Sequence, residues 1–376
     1  MCVNSGTGGG RIVGNGLTMT YGAVLTKPGE IEIREFPMPG IDSQTGILRV
    51  ELAGVCSGTD VKLYRGKLNN PFPIIMGHEI VGVVEKIGSS LAESNNVQRG
   101  DRVILRGSRC GRCKACRAGN DRFCEENVGY GVRRSTDFAP GLWGGYAQHV
   151  FLVPGAVLQK VPCGVTSEQA LMAGILANGL YWSQKQGGVQ MGTSVVVQGV
   201  GQQGLAAVMA CRYAGAYPIV AVGLSGDGKR LQLAQEFGAD SVVMADSTDV
   251  IEVVSQVTNG AMADVVIEVT GSGKSFVRAL DLVRAGGTVV QGGLAGVGME
   301  VSVPLDKIVW NQIRVQGVYS KPIEAVSLAL DLLETGRLPI ERIISHRFRL
   351  ADSNQALALI EQGGDALKVV ITPEVV

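Results

Sequence analysis

The stretch that most constrains this chain is an apolar run followed at once by a glycine-rich turn and an alanine-rich segment. Residues 194–198 form a β-branched run with the length of one buried strand, and residues 205–214 have the composition of a helix. Between them lie Gly199, Gly201 and Gly204 in the pattern G-x-G-x-x-G. The first glycine permits a tight turn, the second lets backbone approach a pyrophosphate, and the third lets the helix pack on the strand. The stretch therefore predicts a dinucleotide-binding unit, with an ordinary strand–helix turn as the alternative.

The same alternation of strand and helix continues to about residue 318 and indicates the fold class. Apolar, β-branched runs alternate with segments of helical periodicity. The predicted strands are 217–222, 241–245, 263–269, 287–291 and 314–318, and the predicted helices are 229–237, 250–257 and 275–283. This order predicts an α/β fold with a doubly wound parallel sheet.

The parts of the chain before and after this region have a different texture. Residues 21–161 contain short β runs broken by Gly and Pro, which predicts an irregular β-rich domain, and residues 167–184 read as a helix. After Tyr319 we expect a helix, a strand, a second helix and a final strand at 368–372. Residues 1–19 are polar and rich in Gly, Ser and Thr, so we expect a disordered tail or a true start at Met19.

Length and charge limit the classes of function. A chain of 376 residues is long enough for two or three domains. The formal net charge is zero, which does not favour nucleic acid or an anionic membrane surface as a partner. No apolar run approaches the ~18 residues of a membrane span, and no secretory signal is visible. We therefore expect a cytoplasmic protein with a small-molecule substrate.

Four cysteines lie close together in a pattern typical of a metal-binding loop. Cys110, Cys113, Cys116 and Cys124 give C-x2-C-x2-C-x7-C. Four thiolates satisfy tetrahedral zinc completely and leave no open position for chemistry, so this pattern predicts a structural zinc site. Disulfides and an iron–sulfur cluster are the competing interpretations.

Further motifs complete a resemblance to one family. They are Gly54-Val55-Cys56, Gly77-His78-Glu79, Gly100-Asp101-Arg102-Val103 and Gly144-Gly145-Tyr146-Ala147, in addition to the four-cysteine loop and the glycine-rich turn. In this order and spacing the chain resembles the zinc-containing medium-chain alcohol dehydrogenases, over nearly all residues after the tail.

The resemblance implies a Rossmann domain with a doubly wound parallel sheet and a GroES-like β-rich catalytic domain, with the active site in the cleft between them. It implies a GroES-like domain over 20–181 and 319–376, a structural zinc lobe at about 106–126, and a Rossmann domain over 182–318. Family members are homodimers or homotetramers that pair the edges of their Rossmann sheets.

The resemblance also implies a catalytic zinc bound by Cys56 and His78. The third ligand of the family comes from a later helix, where this chain has Gly174, which has no side chain to offer. Glu79 could complete the set instead. The loop after Cys56 is one residue longer than in the family, so either Cys56 keeps its place or Ser57 takes it.

Two residues after Cys56 are expected to assist. Asp60 would accept a hydrogen bond from the second ring nitrogen of His78 and fix its tautomer. Thr59 resembles the hydroxyl that passes the alcohol proton outward.

The end of the second predicted strand bears on the choice of dinucleotide. An acidic residue there usually accepts from the ribose hydroxyls of NAD, and this chain has Gly223. Ser225, Lys229 and Arg230 could bind a 2′-phosphate, so the sequence favours NADP over NAD. The alternative is that Lys229 and Arg230 are a solvated start of a helix.

The remaining expected contacts depend on position in the family. Thr270 and the run Gly292, Gly293 and Leu294 should flank the nicotinamide and its ribose, and Lys368 should reach the pyrophosphate. The possible substrate-lining residues are Tyr130, Trp143, Asn178 and Trp182.

The sequence therefore predicts a zinc-dependent, NAD(P)-linked alcohol dehydrogenase or carbonyl reductase, and the largely aromatic lining suggests a hydrophobic, secondary alcohol or ketone. The alternatives are a medium-chain reductase of polarised double bonds or imines that keeps only the structural zinc, and a dinucleotide-binding protein without chemistry.

Overall fold

The structure, a computed structural model, describes residues 12–13, 17–119, 123–296 and 298–375. The strands are β1 (Ile12–Val13), β2 (Leu17–Lys27), β3 (Glu30–Pro37), β4 (Gly46–Val55), β5 (Ile74–Ile75), β6 (Glu79–Ile87), β7 (Arg102–Ser108), β8 (His149–Leu152), β9 (Ala156–Lys160), β10 (Val195–Gln198), β11 (Ile219–Gly223), β12 (Ser241–Met244), β13 (Ala263–Glu268), β14 (Val283–Gln291), β15 (Arg314–Gly317), β16 (Ile344–Arg349) and β17 (Lys368–Thr372). The helices are α1 (Asp60–Tyr64), α2 (Ser89–Asn95), α3 (Lys114–Arg117), α4 (Ser167–Leu180), α5 (Gln202–Tyr213), α6 (Gly228–Glu236), α7 (Val250–Val257), α8 (Gly273–Leu282), α9 (Leu305–Trp310), α10 (Ile323–Glu334) and α11 (Ser353–Gln362).

The chain divides into two compact units. Unit 1 comprises Met1–Leu171 and Ile344–Val376, and unit 2 comprises Met172–Ile343. This division differs from the boundaries expected from the sequence, 181/182 and 318/319. The second half of α4 groups with unit 2, where Asn178 donates from Nδ2 to Gln203 Oε1 in α5 at 3.2 Å. The segment after 318 groups there too, and Trp182 Nε1 donates to the Ser320 carbonyl at 3.3 Å.

Unit 2 is built on a six-stranded parallel sheet. Its strand order is β12-β11-β10-β13-β14-β15. With β10 as the first strand this is the order 3-2-1-4-5-6, in which the chain reverses direction across the sheet beside β10. Every residue of β10 is buried, because helices cover both faces of such a sheet. The predicted α/β doubly wound fold is confirmed.

Unit 1 is β-rich, as predicted. It contains a four-stranded sheet, in which β2 pairs with β1, β3 and β5, and a seven-stranded sheet in the order β16-β17-β4-β6-β7-β9, with β8 paired to β4. The last strand of the chain, β17, pairs antiparallel with β4 and places Val369 opposite Val55. The C-terminal strand therefore lies beside the end of β4, immediately before Cys56.

Most of the expected disordered tail, residues 1–19, lies outside the described residues. Where residues 12–13 and 17–19 are described they form strands instead, since Ile12 pairs with Thr18 and Val13 with Leu17. Within the described part of the chain, no helix has both the length and the apolar character needed to cross a membrane.

Candidate metal centres and nucleotide site

The structure brings Cys56, His78 and Glu79 together in unit 1. One donor atom from each residue lies within 4.8 Å of the other two. The pairing of β4 with β6 explains this, because Gly54 lies opposite Glu79 in the antiparallel register. Cys56 follows the end of β4, and His78 and Glu79 stand at the start of β6. Sulfur, imidazole nitrogen and carboxylate oxygen are all ligands that zinc accepts.

The longer loop after Cys56 forms a turn that keeps this cysteine in place. The Asp60 N–H donates to the Cys56 carbonyl at 2.8 Å. In return the Cys56 N–H donates to Asp60 Oδ2 at 2.8 Å. Ser57 and Gly58 are exposed at the outside of the turn. Of the two alternatives, the structure therefore has Cys56 and not Ser57 beside His78.

Asp60 lies where the sequence predicted, facing the imidazole. Its side chain is fully buried, and Oδ1 is 3.5 Å from His78 Nδ1. Neither of these two atoms has a hydrogen-bond partner among the described residues. Because Nδ1 faces Asp60, Nε2 is the nitrogen left for a metal. The residue that the sequence reasoning missed is Tyr146, whose hydroxyl donates to Asp60 Oδ2 at 2.9 Å.

The electrostatics of this cluster favour positive charge. Burial lowers the pKa of His78, but the Asp60 charge and the polar contacts with Asp60 and Cys56 outweigh burial and raise the pKa well above its usual value. Burial, and then the Asp60 charge, raises the pKa of Tyr146 well above its usual value, so its hydroxyl keeps the proton that it donates. A metal cation would take the place of the imidazole proton.

Lys368 lies in this cluster, whereas the sequence expected it on a pyrophosphate. Its side chain is fully buried, and its ammonium forms an ion pair with Glu79 Oε2. It also donates to the Val55 carbonyl at 3.2 Å. The antiparallel pairing of β17 with β4 fixes this position. The structure therefore shows the Lys368 ammonium in contact with the Glu79 carboxylate and the Val55 carbonyl.

Thr59 lies half-buried immediately before α1, and its hydroxyl makes no capping hydrogen bond to that helix. Gly174 in α4 occupies the position of the family's third zinc ligand, and its nearest described side chain is that of Lys321. A Cβ placed on Gly174 would lie 3.3 Å from the Lys321 ammonium, within unit 2.

The second cluster is the four-cysteine loop. Donor atoms of Cys110, Cys113, Cys116 and Cys124 all lie within 4.8 Å of one another, and none of the four is in a disulfide. The sulfurs of Cys110 and Cys116 are 4.0 Å apart. Four sulfurs at ~2.3 Å from a tetrahedral zinc are about 3.8 Å apart, whereas a disulfide needs about 2.05 Å.

Backbone N–H groups donate hydrogen bonds to sulfurs of this loop and stabilise their thiolate forms, which bind a cation. Cys113 N–H donates to Cys110 Sγ at 3.3 Å, and Cys116 N–H donates to Cys113 Sγ at 3.4 Å. Backbone donation from Cys116 lowers the pKa of Cys113 to about 6, so that thiolate forms near neutral pH. The donor set therefore fits a closed zinc site.

In unit 2 the glycine-rich turn has the geometry that its pattern predicts. Gly199 has a φ of 102°, which favours glycine. A Cβ on Gly204 would lie 1.7 Å from the Gly199 carbonyl oxygen, so only glycine allows α5 to pack this closely. A Cβ on Gly201 would meet no described atom within 4 Å. That open space at the start of α5 is the side from which a pyrophosphate would approach.

The residues expected at the ribose end lie beside this turn. Gly223 ends β11, and a Cβ there would lie 2.9 Å from Val200 Cγ2. Ser225 follows, with its hydroxyl donating to Asp246 Oδ2 at 2.6 Å. Lys229 and Arg230 start α6, and Arg230 lies 3.5 Å from Asp227.

The residues expected at the nicotinamide end also lie at the carboxyl ends of strands. Thr270 donates from its N–H to the buried Glu268 at 2.8 Å, and the N–H groups of Gly292 and Gly293 donate to the Glu268 carbonyl at 2.8 and 3.0 Å. Leu294 is 73% exposed. A Cβ on Gly199 would lie 3.0 Å from Thr270 Cγ2, so the turn and these loops adjoin.

The residues expected to line a substrate pocket are all buried. Tyr130, Trp143 and Trp182 are at most 4% exposed, and Asn178 is 6% exposed. The Tyr130 hydroxyl donates to the Phe151 carbonyl, and Trp143 Nε1 donates to the Phe138 carbonyl. The three aromatic rings pack inside the protein, so they provide no evidence for a hydrophobic substrate.

Comparison with known proteins gives a consistent result across both units. Residues 43–163 match the family profile "Alcohol dehydrogenase GroES-like domain", and residues 204–335 match "Zinc-binding dehydrogenase". A Mycobacterium tuberculosis protein named "Probable alcohol dehydrogenase adh" is 34% identical over 93% of this chain and 97% of its own length. The sorbitol dehydrogenase of Halalkalibacterium halodurans is 30% identical over 92% of this chain and 96% of its own.

A solved structure gives the same result as these sequence comparisons. A Sinorhizobium meliloti protein solved with bound NADP has a TM-score of 0.83 and 27% identity, and the match covers 95% of this chain and 100% of that chain. Taken with the two profiles and the relatives, this result shows that the chain belongs to the zinc-containing medium-chain alcohol dehydrogenase family and is an NAD(P)-dependent oxidoreductase acting on CH–OH groups.

Proposed function

We propose that the chain is a zinc-dependent alcohol dehydrogenase or carbonyl reductase, with Cys56, His78 and Glu79 as the ligands of the catalytic zinc. The observation that carries the proposal is the convergence of these three donor atoms within 4.8 Å. The buried packing of Tyr130, Trp143 and Trp182 removes the argument for a hydrophobic substrate, so the proposal does not include that property.

Bound zinc supplies a Lewis acid for an alcohol oxygen, and bound nicotinamide supplies the hydride acceptor. The protein's own part is to hold the ligands in their places. Asp60 orients the His78 ring from its Nδ1 side, and Tyr146 and the Cys56 N–H hold Asp60. Lys368 holds Glu79 from the other side. We assign Thr59 to passing the alcohol proton outward, because its hydroxyl is not used to cap α1.

The nucleotide is assigned to unit 2. Gly199, Gly201 and Gly204 support a pyrophosphate position at the start of α5. Thr270 with Gly292, Gly293 and Leu294 is proposed for the nicotinamide end, at the carboxyl ends of β13 and β14. For the ribose end, the absence of a carboxylate at Gly223 supports NADP, with Lys229 and Arg230 as candidate phosphate contacts, and NAD as the alternative. Comparing catalytic efficiency with the two dinucleotides tests this choice, and a clear preference for NAD would contradict it.

We assign the four-cysteine loop to a structural zinc, because its sulfurs leave no open position for a substrate. We further propose a homo-oligomer in which a second copy pairs with β15, and a cytoplasmic location, whose reducing conditions keep the thiols available for metal. The edge strand β15 and its exposed apolar neighbours support the oligomer.

The competing function is a reductase of polarised double bonds or imines without a catalytic metal. One observation favours it: the slot of the family's third ligand is Gly174, beside the Lys321 ammonium. The two functions differ in what happens when Cys56 is removed.

The experiment is a substrate panel run on wild type, Cys56→Ser and the exposed control Cys163→Ser. The panel contains secondary alcohols, ketones, conjugated enones and cyclic imines, each with NAD(H) and NADP(H), before and after chelation. We expect alcohol oxidation that falls by at least ~100-fold in Cys56→Ser and is unchanged in Cys163→Ser, since loss of a ligand removes the Lewis acid. Enone or imine reduction that persists in Cys56→Ser and after chelation would replace this proposal by the competing one.

A further inference from the structure

The end of β11 lies against the glycine-rich turn. The Gly199 N–H donates to the Val222 carbonyl at 2.8 Å, and the Gly223 Cβ position is 2.9 Å from Val200. In a sheet of this order, a residue at the end of the second strand meets the ribose of a bound dinucleotide. Residues 223–225 therefore form the ribose end of the proposed nucleotide site.

A carboxylate reaches this position from the next strand. In the parallel pairing of β11 with β12, Gly223 lies opposite Met244, and the Ala245 N–H donates to the Gly223 carbonyl at 2.9 Å. The following residue, Asp246, turns toward Ser225. Its Oδ1 accepts from the Ser225 N–H at 2.9 Å, and its Oδ2 accepts from the Ser225 hydroxyl at 2.6 Å.

The hydrogen bonds between Ser225 and Asp246 limit the ability of Ser225 to bind a phosphate. Its hydroxyl hydrogen points to Asp246, so it does not point to a phosphate. Hydrogen bonds from Ser225 lower the pKa of Asp246, which keeps the carboxylate ionised at neutral pH. A 2′-phosphate placed at Ser225 would lie within a few ångströms of that charge, and like charges at such a distance repel.

We propose that Asp246, from the turn after β12, discriminates against the 2′-phosphate of the dinucleotide in place of the carboxylate that is missing at position 223. The inference rests on the proposed nucleotide site and names a residue that determines its specificity. Lys229 and Arg230 attract the phosphate. Asp246 opposes it together with Asp227, which lies 3.5 Å from Arg230. The balance of these four charges sets the preference between NADP and NAD. A neutral residue at 246 would shift the preference toward NADP.

The test measures binding of two fragments to the full chain by isothermal titration calorimetry. The probes are 2′,5′-ADP, which carries the 2′-phosphate, and ADP-ribose, which does not. The proteins are wild type, Asp246→Asn, Asp246→Ser and the control Glu252→Gln, which removes the same charge from an exposed position on α7. Each is measured at about 0.05 M and about 1 M salt, where charge screening differs strongly.

We expect the ratio of 2′,5′-ADP to ADP-ribose affinity to rise on the order of tenfold in both Asp246 variants at low salt. The rise should shrink at high salt, which loss of a merely structural hydrogen bond would not cause. Glu252→Gln should keep the wild-type ratio. A ratio that is unchanged in both Asp246 variants, or a rise independent of salt, would overturn the inference alone. Failure of both probes to bind any of the proteins would overturn the proposed nucleotide site as well.

Discussion

At the scale of single residues, Asp60 connects the residues of the Cys56 cluster. Asp60 is fully buried and accepts from Tyr146 and from the Cys56 N–H, while Oδ1 faces His78 Nδ1 at 3.5 Å. Two hydrogen bonds hold the carboxylate, and we propose that the carboxylate in turn orients the imidazole.

We therefore predict that Asp60→Asn weakens metal binding at this cluster. The substitution keeps the size of the side chain and removes the charge that favours a ring N–H at Nδ1. The expected loss of zinc affinity is about 10- to 100-fold, the usual effect of removing a residue that orients a ligand. Competition with a coloured chelator measures it, with the exposed Asp137→Asn as the control. Equal affinity in Asp60→Asn and wild type would show that Asp60 does not orient the ligand.

Some of these residues were predictable from the sequence and others were not. Cys56, His78, Glu79 and Asp60 belong to short motifs, so their proximity follows from one strand pairing and one turn. The Lys368–Glu79 ion pair joins residues 289 positions apart, and the Tyr146–Asp60 hydrogen bond spans 86. Such contacts depend on strand register, which a motif does not encode. Asp246 escaped notice for the same reason, because it reaches Ser225 from a neighbouring strand.

At the scale of elements, two glycines of the turn between β10 and α5 have different roles. Gly204 is needed because its Cβ would collide with the Gly199 carbonyl. Gly201 has a φ of −73° and open space beside it, so alanine fits there without strain. The same motif thus contains one position that determines packing and one that faces open space, where we propose the pyrophosphate.

We predict opposite outcomes for alanine at these two positions. Gly204→Ala should destabilise unit 2 by about 1–3 kcal/mol, the usual cost of forcing a methyl group into a packed site. Gly201→Ala should leave the free energy of unfolding within about 0.5 kcal/mol of wild type, because a substitution away from packed groups has little effect on stability. The same variant should weaken dinucleotide binding by at least ~10-fold, because its methyl group occupies the space where a pyrophosphate would lie. Urea unfolding and fluorescence titration with NADPH measure the two effects. Tight NADPH binding by Gly201→Ala would contradict the assigned position of the pyrophosphate.

Most strands and helices of unit 2 were predicted because they have strong local patterns, but α9 (Leu305–Trp310) was not predicted. β10 was predicted as 194–198 and spans Val195–Gln198, and β12 was predicted as 241–245 and spans Ser241–Met244. β14 begins at Val283, before the predicted 287, since Val283 pairs with Ala263 ahead of an irregularity in register. The glycines at 286 and 287 hid that extension, because glycine is unfavourable in strand interiors.

At the scale of the whole molecule, the proposed oligomer depends on one side of unit 2. β15 is the last strand of the six-stranded sheet, and α9 beside it contains no buried residue. The exposed fractions are 70% for Leu305, 69% for Val309 and 79% for Trp310, with Val315 at 40% in β15 itself. An exposed apolar region next to a sheet edge is typical of a surface that pairs with another copy.

We predict that wild type is at least a dimer at micromolar concentration and that Val315→Glu with Trp310→Glu yields a folded monomer. Charges on both sides of a two-fold contact repel and cannot be buried. Light scattering after size exclusion gives the mass, and circular dichroism verifies the fold. Leu328→Glu, at a position of α10 that is 45% exposed, is the control. A wild-type monomer would exclude the proposed pairing.

The central claim is that the chain holds two zinc ions, one in the four-cysteine loop and one at Cys56, His78 and Glu79. Native mass spectrometry of the protein purified without added metal counts them directly. We expect two zinc ions per chain in wild type, one in Cys56→Ser and one in Cys113→Ser. If the Cys113 variant remains folded, only the Cys56 variant should lose alcohol oxidation. One zinc ion per wild-type chain, still present in Cys56→Ser and lost in Cys113→Ser, would show that the Cys56 cluster binds no zinc.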